Sequence, residues 1–226
     1  MCSSDLDECP RAIFDAEGRL LNAEEATGEI VNAGGGTFEG YWNNDEANRE
    51  RLRNGAYWTG DLAYRDNKGF FYFAGRSADW MRVDGENFAG APIERIIMRH
   101  PSVILAAVYG VPDADMGDRV MAAIQLRPDS SFDIDEFAGF LRAQNDLGPK
   151  WMPTFVMVVD DFPMTPSNKV IKRELVLRRW HAVESDASAR VWWREGKSLD
   201  FVSFDAQAAS SLRSRFEANN RGHVIS

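Results

Sequence analysis

The stretches "VILAAVYGV" (103–111) and "VMAAIQL" (120–126) decide the fold class. Each is an apolar run of strand length, rich in strand-favouring residues, and each reads as a buried strand. "FVMVVD" (155–160) reads as a third. Helical patterns lie around them. Pro92 suits a first helical position, and Ile93, Ile96 and Ile97 share a face until Pro101. "DIDEFAGFLRAQNDL" (133–147) is amphipathic, with Ile134, Phe137, Phe140 and Leu141 on one side and Gly148-Pro149 as its stop. The order helix, strand, strand, helix, strand predicts a small α+β domain of about a hundred residues.

Upstream the character is different. "TGEIVN" (27–32) reads as a strand entering "AGGGTFEG", whose three glycines suggest a mobile turn, since no Gly-Lys-Ser/Thr follows to make a phosphate loop. "NNDEANRERLRNG" (43–55) gives a short polar helix with Asp45 as N-cap and Gly55 as stop. "DLAYRD" and "GFFYFAGR" flank Asn67-Lys68 as a hairpin, and "DWMRV" and "DGENF" form a tighter one with Asp84-Gly85 at its tip. The change of pattern near 76–79 marks a domain boundary. The polar stretch 181–226, with Trp192-Trp193, reads as a packed appendage or a loose tail.

The net charge of -9 argues against a general nucleic-acid or anionic-membrane binder, since those present basic faces. Cys2 and Cys9 give neither a disulfide framework nor a metal spacing. No apolar run approaches the roughly 18 residues of a membrane span, and no signal peptide is visible, so the cytoplasm is the expected compartment. "MCSSDL" resembles a translated sequencing-adapter tail. Residues 1–6 are therefore expected to be foreign to the gene.

Three stretches could carry chemistry. In "WTGDL" (58–62), Asp61 follows a glycine where the chain enters a strand, and a carboxylate there can accept both cis hydroxyls of a ribose. In "RSADWMRVDGENFAGAPIE" (76–94), Arg76 offers a planar donor fork, and Gly85 and Gly90 permit close approach by a thin ligand. In "MTPSNKVIKREL" (164–175), Lys169 sits on a polar turn, from which an ammonium can be delivered to developing negative charge. Taken singly, each has an ordinary reading as a turn or a surface charge. His100, His181 and His223 lie in no recognisable nucleophile motif.

The order and spacing of the three stretches resemble the C-terminal part of the adenylate-forming acyl-CoA synthetases. There "TGD" is followed by "GR", a hinge, a glycine lining the thiol tunnel, and a late Gly-Lys lysine. "RSADWMRVDGENFAGAPIE" and the tail "VWWREGKSLDFVSFDAQ" (191–207) are most similar to the fatty-acid transport protein and very-long-chain branch. The resemblance implies a ligase using ATP, CoA and Mg2+ on a fatty acid, with the magnesium ligand in a large domain that this sequence does not show. By residue, it implies Asp61 on the ribose, Arg76 on the nucleotide, Asn87 facing the phosphates, Gly85 in the CoA channel, Ala78 as hinge and Lys169 as the adenylation lysine.

By the same resemblance, 1–76 would be the β-rich end of the large domain, short of some sheet partners, 77–180 a small lid domain with a hairpin and a three-stranded sheet flanked by helices, and 181–226 an extension. The fragment alone would be inactive, and peripheral membrane association stays open. Two departures stand out: Ala78 is an uncharged hinge, and Asn168 replaces the glycine before the lysine. Val83-Asp84 also lacks a basic residue before the channel glycine, leaving the CoA-phosphate contacts unassigned. Alternatives are a ligase that loads a carrier-protein thiol and a free-standing interaction module without catalysis.

Overall fold

A computed structural model of the chain describes residues 6–18, 20–33, 39–76, 79–186, 188–196 and 198–225. Residues 1–5, the glycine run 34–36 and the hinge position Ala78 lie outside the described residues. The chain divides into two compact units, Met1–Asp79 and Trp80–Ser226.

In the first unit, helix α1 (Ala23–Ala26) leads into strand β1 (Gly28–Asn32). Helix α2 (Asp45–Arg51) is followed by β2 (Leu52–Arg53), β3 (Ala56–Arg65) and β4 (Phe71–Arg76). β3 is central, pairing antiparallel with β1, β2 and β4. The cap of α2 is Asn44, whose side chain accepts the Ala47 N–H, and Asp45 is the first helical residue. The expected cap therefore moves by one residue, because Asn44 is non-helical and its side chain satisfies one of the first free N–H groups of the helix. The β3–β4 turn is set by Asp66, whose carboxylate accepts the N–H groups of Lys68 and Phe70, both at 2.9 Å, and the Tyr72 hydroxyl at 3.0 Å.

The second unit opens with the hairpin β5 (Trp80–Val83) and β6 (Glu86–Ala89). Asp84 and Gly85 both have positive φ, 49° and 84°, as a tight two-residue turn requires. Helix α3 (Gly90–Ile97) follows directly, with Pro92 as its third residue and not its first. The earlier start is possible because residue 90 is glycine: a Cβ there would lie 2.2 Å from the Val108 carbonyl oxygen. The space that the sequence offered to a ligand at Gly90 is thus taken by the protein's own strand.

Strands β7 (Val103–Pro112) and β8 (Asp118–Leu126) pair antiparallel. Helix α4 (Ile134–Arg142), capped by the Asp133 carboxylate, crosses over to β9 (Phe155–Val159), which lies parallel to β8. Helices α5 (Lys172–Arg178) and α6 (Ala182–Ser185) precede β10 (Arg190–Trp193), β11 (Val202–Ser203) and α7 (Ala206–Ala218). The sheet order is β11-β10-β9-β8-β7. It holds five strands and not the three read from sequence. The two additions come from the tail, where Trp192 and Trp193 sit in a strand too short to announce itself by periodicity.

Strand alternation divides two cores. Val120, Ala122 and Ile124 of β8 face the side covered by the β5–β6 hairpin, α3 and α4, with Met81, Ile93 and Phe137 fully buried. Met121 and Ala123 face the side covered by α5, α6 and α7, where Trp180 is fully buried beside Phe204 and Phe216. The tail thus supplies much of the second core and adds Phe201 to the first.

Two predictions follow from this packing. Gly90→Ala should destabilise the unit by about 1–3 kcal/mol, because the added methyl meets backbone, as a urea titration would show. His100 is buried between the rings of Phe137 and Phe140, and its Nδ1 accepts the Ser102 N–H at 3.3 Å. Burial pushes its pKa below the ordinary 6.5, partly opposed by Glu136. The unfolded chain then binds the extra proton, so this contribution to stability is complete above the unfolded value and is lost as pH falls below it. Denaturation midpoints should decline more steeply between pH 7 and pH 5 (about the span of the unfolded titration) in the parent than in His100→Gln.

Candidate functional site

Asp61 and Arg76 are cross-strand partners on β3 and β4, with Arg76 Nε 3.0 Å from Asp61 Oδ1. The turn before Asp61 is fastened to β1. Gly60, at φ 75°, donates its N–H to Glu29 Oε1 at 2.7 Å, and the Thr59 hydroxyl donates to the Ile30 carbonyl at 2.8 Å. The Asp61 N–H donates to Thr59 Oγ1 at 3.0 Å. Its carboxylate is one-third exposed and already oriented by a guanidinium. It keeps acceptor capacity for a pair of hydroxyls.

Gly85 stands at the hairpin tip with nothing within 4 Å of where a Cβ would be. Asn87 lies on β6 opposite Arg82. The hairpin is fixed from the sheet side by Asp118, which accepts the Arg82 N–H at 2.9 Å. Burial raises the Asp118 pKa.

Lys169 closes a short turn. The Thr165 N–H donates to the Lys169 carbonyl at 2.8 Å, and the Lys169 N–H donates to Thr165 Oγ1 at 3.1 Å. Asn168 sits at φ 57°, the left-handed conformation that a glycine would take. Lys169 is exposed, and no ion pair of its ammonium occurs among the described residues. The neighbouring Lys172 is held instead, 2.8 Å from Glu94, which also accepts the Val108 N–H.

Beside the Asp84–Gly85 turn lies a cavity of about 860 Å³. Four cations line it, Arg119, Arg142, Lys150 and Arg194, against the single carboxylate of Asp84. Lys150 also pairs with Glu86, and Arg119 with Asp113. Arg142 pairs with Asp200 as well, so three of the four cations have carboxylate partners outside the lining, yet their clustered donors suit a phosphate-bearing ligand. Sequence reasoning missed this set. Lys150 follows Gly148-Pro149, which were read only as a helix stop, and Arg194 follows the tryptophan pair in the tail. Among the described residues, no group of three or more His, Cys, Asp or Glu side chains is placed to hold a metal ion.

Comparison with known proteins bears on this geometry. Residues 92–169 match the family described as AMP-binding enzyme C-terminal domain. The match lies within the second unit and covers about a third of the chain. A steroid-22-oyl-CoA synthetase of Rhodococcus jostii is 53% identical over 174 residues, which are 76% of this chain and 31% of that protein. The medium/long-chain-fatty-acid–CoA ligase FadD17 of Mycobacterium tuberculosis is 56% identical over 149 residues, 66% of this chain and 30% of that protein. ATP-bound MatB from Rhodopseudomonas palustris superposes with a TM-score of 0.61 at 32% identity, over 74% of this chain and 33% of that one. The amide bond synthetase McbA from Marinactinospora thermotolerans does so at 0.58 and 30% identity, over 74% and 34%.

The chain thus spans about a third of the length of the relatives it matches, and its likeness is to their C-terminal part. The family match runs from Pro92 to Lys169, so it ends on the turn lysine. The α+β expectation stands, with the larger sheet described above. No helix among the described residues is long and apolar enough to cross a membrane.

The lysine turn yields a direct prediction. Asn168→Gly should leave the denaturation midpoint nearly unchanged, whereas Asn168→Ala should cost about 1 kcal/mol, the penalty of a left-handed residue without a local side-chain hydrogen bond.

Proposed function

We propose that the chain is the C-terminal part of an ATP-dependent acid–CoA ligase acting on an aliphatic carboxylic acid. The reaction has two steps: acid and ATP give acyl-AMP and pyrophosphate, then acyl-AMP and CoA give acyl-CoA and AMP. The relatives' names, medium/long-chain fatty acid and steroid-22-oyl, support a large apolar acyl group.

One observation carries the reading. The Asp84–Gly85 hairpin covers one side of the five-stranded sheet, while the turn bearing Lys169 feeds α5, which covers the other. A single compact unit therefore presents an exposed ammonium on one side and an open glycine beside a cluster of cations on the other. Two successive half-reactions can each use one side if the unit reorients between them, with Ala78 as the proposed hinge.

In the first step, Asp61 accepts the ribose hydroxyls, with Arg76 paired to that carboxylate. Lys169 brings its charge to the oxygens on which negative charge grows, an interaction that strengthens where water is excluded. In the second, Gly85 lets the thiol arm of CoA pass close to the backbone. Asn87 faces the nucleotide phosphates. Arg119, Lys150 and Arg142 fit the phosphates of CoA, since they surround the cavity beside that glycine. Magnesium would assist phosphate departure, and no described residue of this chain is assigned to it.

The test grafts this chain in place of the matching C-terminal stretch of the Rhodococcus jostii enzyme. Each half-reaction is then assayed separately, with a supplied acyl-adenylate for the second. Lys169→Ala should slow adenylation by about 10²–10³-fold, the usual effect of removing one preorganised donor, and leave thioester formation largely intact. Equal rates in both steps, or equal losses, would return Lys169 to the status of a soluble turn residue and sink the two-sided reading.

A further inference from the structure

The tail after Lys169 reaches back to the far side of the unit, and Arg194 is where it does so. This residue is only 9% exposed, and all three of its guanidinium nitrogens donate to carbonyl oxygens. Nε donates to Pro153 at 2.7 Å and Nη2 to Met152 at 3.0 Å. Nη1 donates to Ser198 at 3.1 Å and Gly196 at 3.4 Å. Its backbone N–H adds a bond to the Thr154 carbonyl at 3.0 Å. One side chain thus ties two segments together. The first, 150–154, contributes Lys150, Met152 and Thr154 to the cavity, and the second contributes Gly196 and Leu199. Arg142 holds the second segment from the other end, donating to the Leu199 carbonyl at 3.2 Å.

Burying a guanidinium costs several kcal/mol unless its donors are all satisfied, and an apolar residue would attach a tail at lower cost. What an apolar residue cannot supply is a fork reaching carbonyls on two segments while adding positive charge to the wall between them. A lysine could supply the charge but not the fork.

We propose that Arg194 is a positioning residue for the cationic cavity: it fixes the loop carrying Lys150 and the tail segment opposite, so that the cations hold a phosphorylated nucleotide such as the adenosine bisphosphate end of CoA. The proposal rests on reading the hairpin side as the CoA side. It gives the C-terminal tail a place in the thioester step.

The test uses the 226-residue chain. Titration calorimetry with adenosine 3′,5′-bisphosphate and with CoA is run on the parent, Arg194→Lys and Gly196→Val, alongside hydrogen exchange at the amides of Trp151, Met152 and Thr154. Unphosphorylated adenosine serves as the reference ligand. Gly196 has φ 58° and open space around it, so valine strains the turn, and with it the carbonyl that Arg194 reaches, without replacing any cation. Arg194→Lys should weaken bisphosphate binding about tenfold (roughly 1.4 kcal/mol), narrow the preference over adenosine, and speed exchange at those amides. Gly196→Val should do the same to a smaller extent.

A folded Arg194→Lys that binds within about twofold of the parent overturns the proposal and leaves the ligase reading intact. If that variant fails to fold, Gly196→Val decides, and unchanged affinity with unchanged exchange overturns it. A parent chain that binds neither phosphorylated ligand removes the CoA assignment of the cavity, and this proposal with it.

Discussion

The sheet of the second unit is covered on both faces, and most of what is specific about that unit follows from this constraint. Five consecutive residues of β8, Val120 to Ile124, are buried, alternating between two cores. Such a strand cannot sit in a sheet with one wet face. It demands a layer on each side, and the chain supplies them in sequence: hairpin, α3 and α4 to one, α5 to α7 to the other. A turn leading into either layer is thereby assigned to a side. The separation of Gly85 from Lys169 is a consequence of core packing before it is a feature of any mechanism.

The electrostatics show why overall charge is a poor guide to a site. A chain of net charge -9 gathers four cations around one cavity. It does so by drawing one from the start of β8, one from the end of α4, one from the loop before β9 and one from the tail. No two of them are neighbours in sequence, so no basic run marks the place. The lysine turn is the opposite case. Its chemistry is contained in a few consecutive residues, and the left-handed Asn168 supplies the bend within that same stretch.

That contrast accounts for what could be read without coordinates. Signals confined to a short window were legible: the buried runs of β7, β8 and β9, the Asp84-Gly85 turn, and the residues pointing to Asp61, Arg76 and Lys169. Boundaries that depend on tertiary contact shifted, as at Asn44, which outcompeted Asp45 for the cap, and at Gly90, whose missing side chain lets α3 start against β7. Strands β10 and β11 were illegible because their length gives no period, and β10 pairs with a strand more than thirty residues upstream. Arg194 was illegible for the same reason: its partners are carbonyl groups, which every residue has.

The two borders of the sheet are treated differently, and this bears on solubility. On the β7 border, Glu94 accepts the outward Val108 N–H and is itself neutralised by Lys172, so part of that edge is already occupied. The opposite border ends in β11, only two residues long and therefore a poor template for another chain to pair with. Between β11 and the interior stand only β10 and then β9, whose five residues Phe-Val-Met-Val-Val are all buried. A chain ending before Arg190 would leave that segment as an open, flat, uncharged edge, the composition that drives cross-β stacking. The tail is in this sense a stopper: it turns a sheet that could grow by addition of strands into one that is finished.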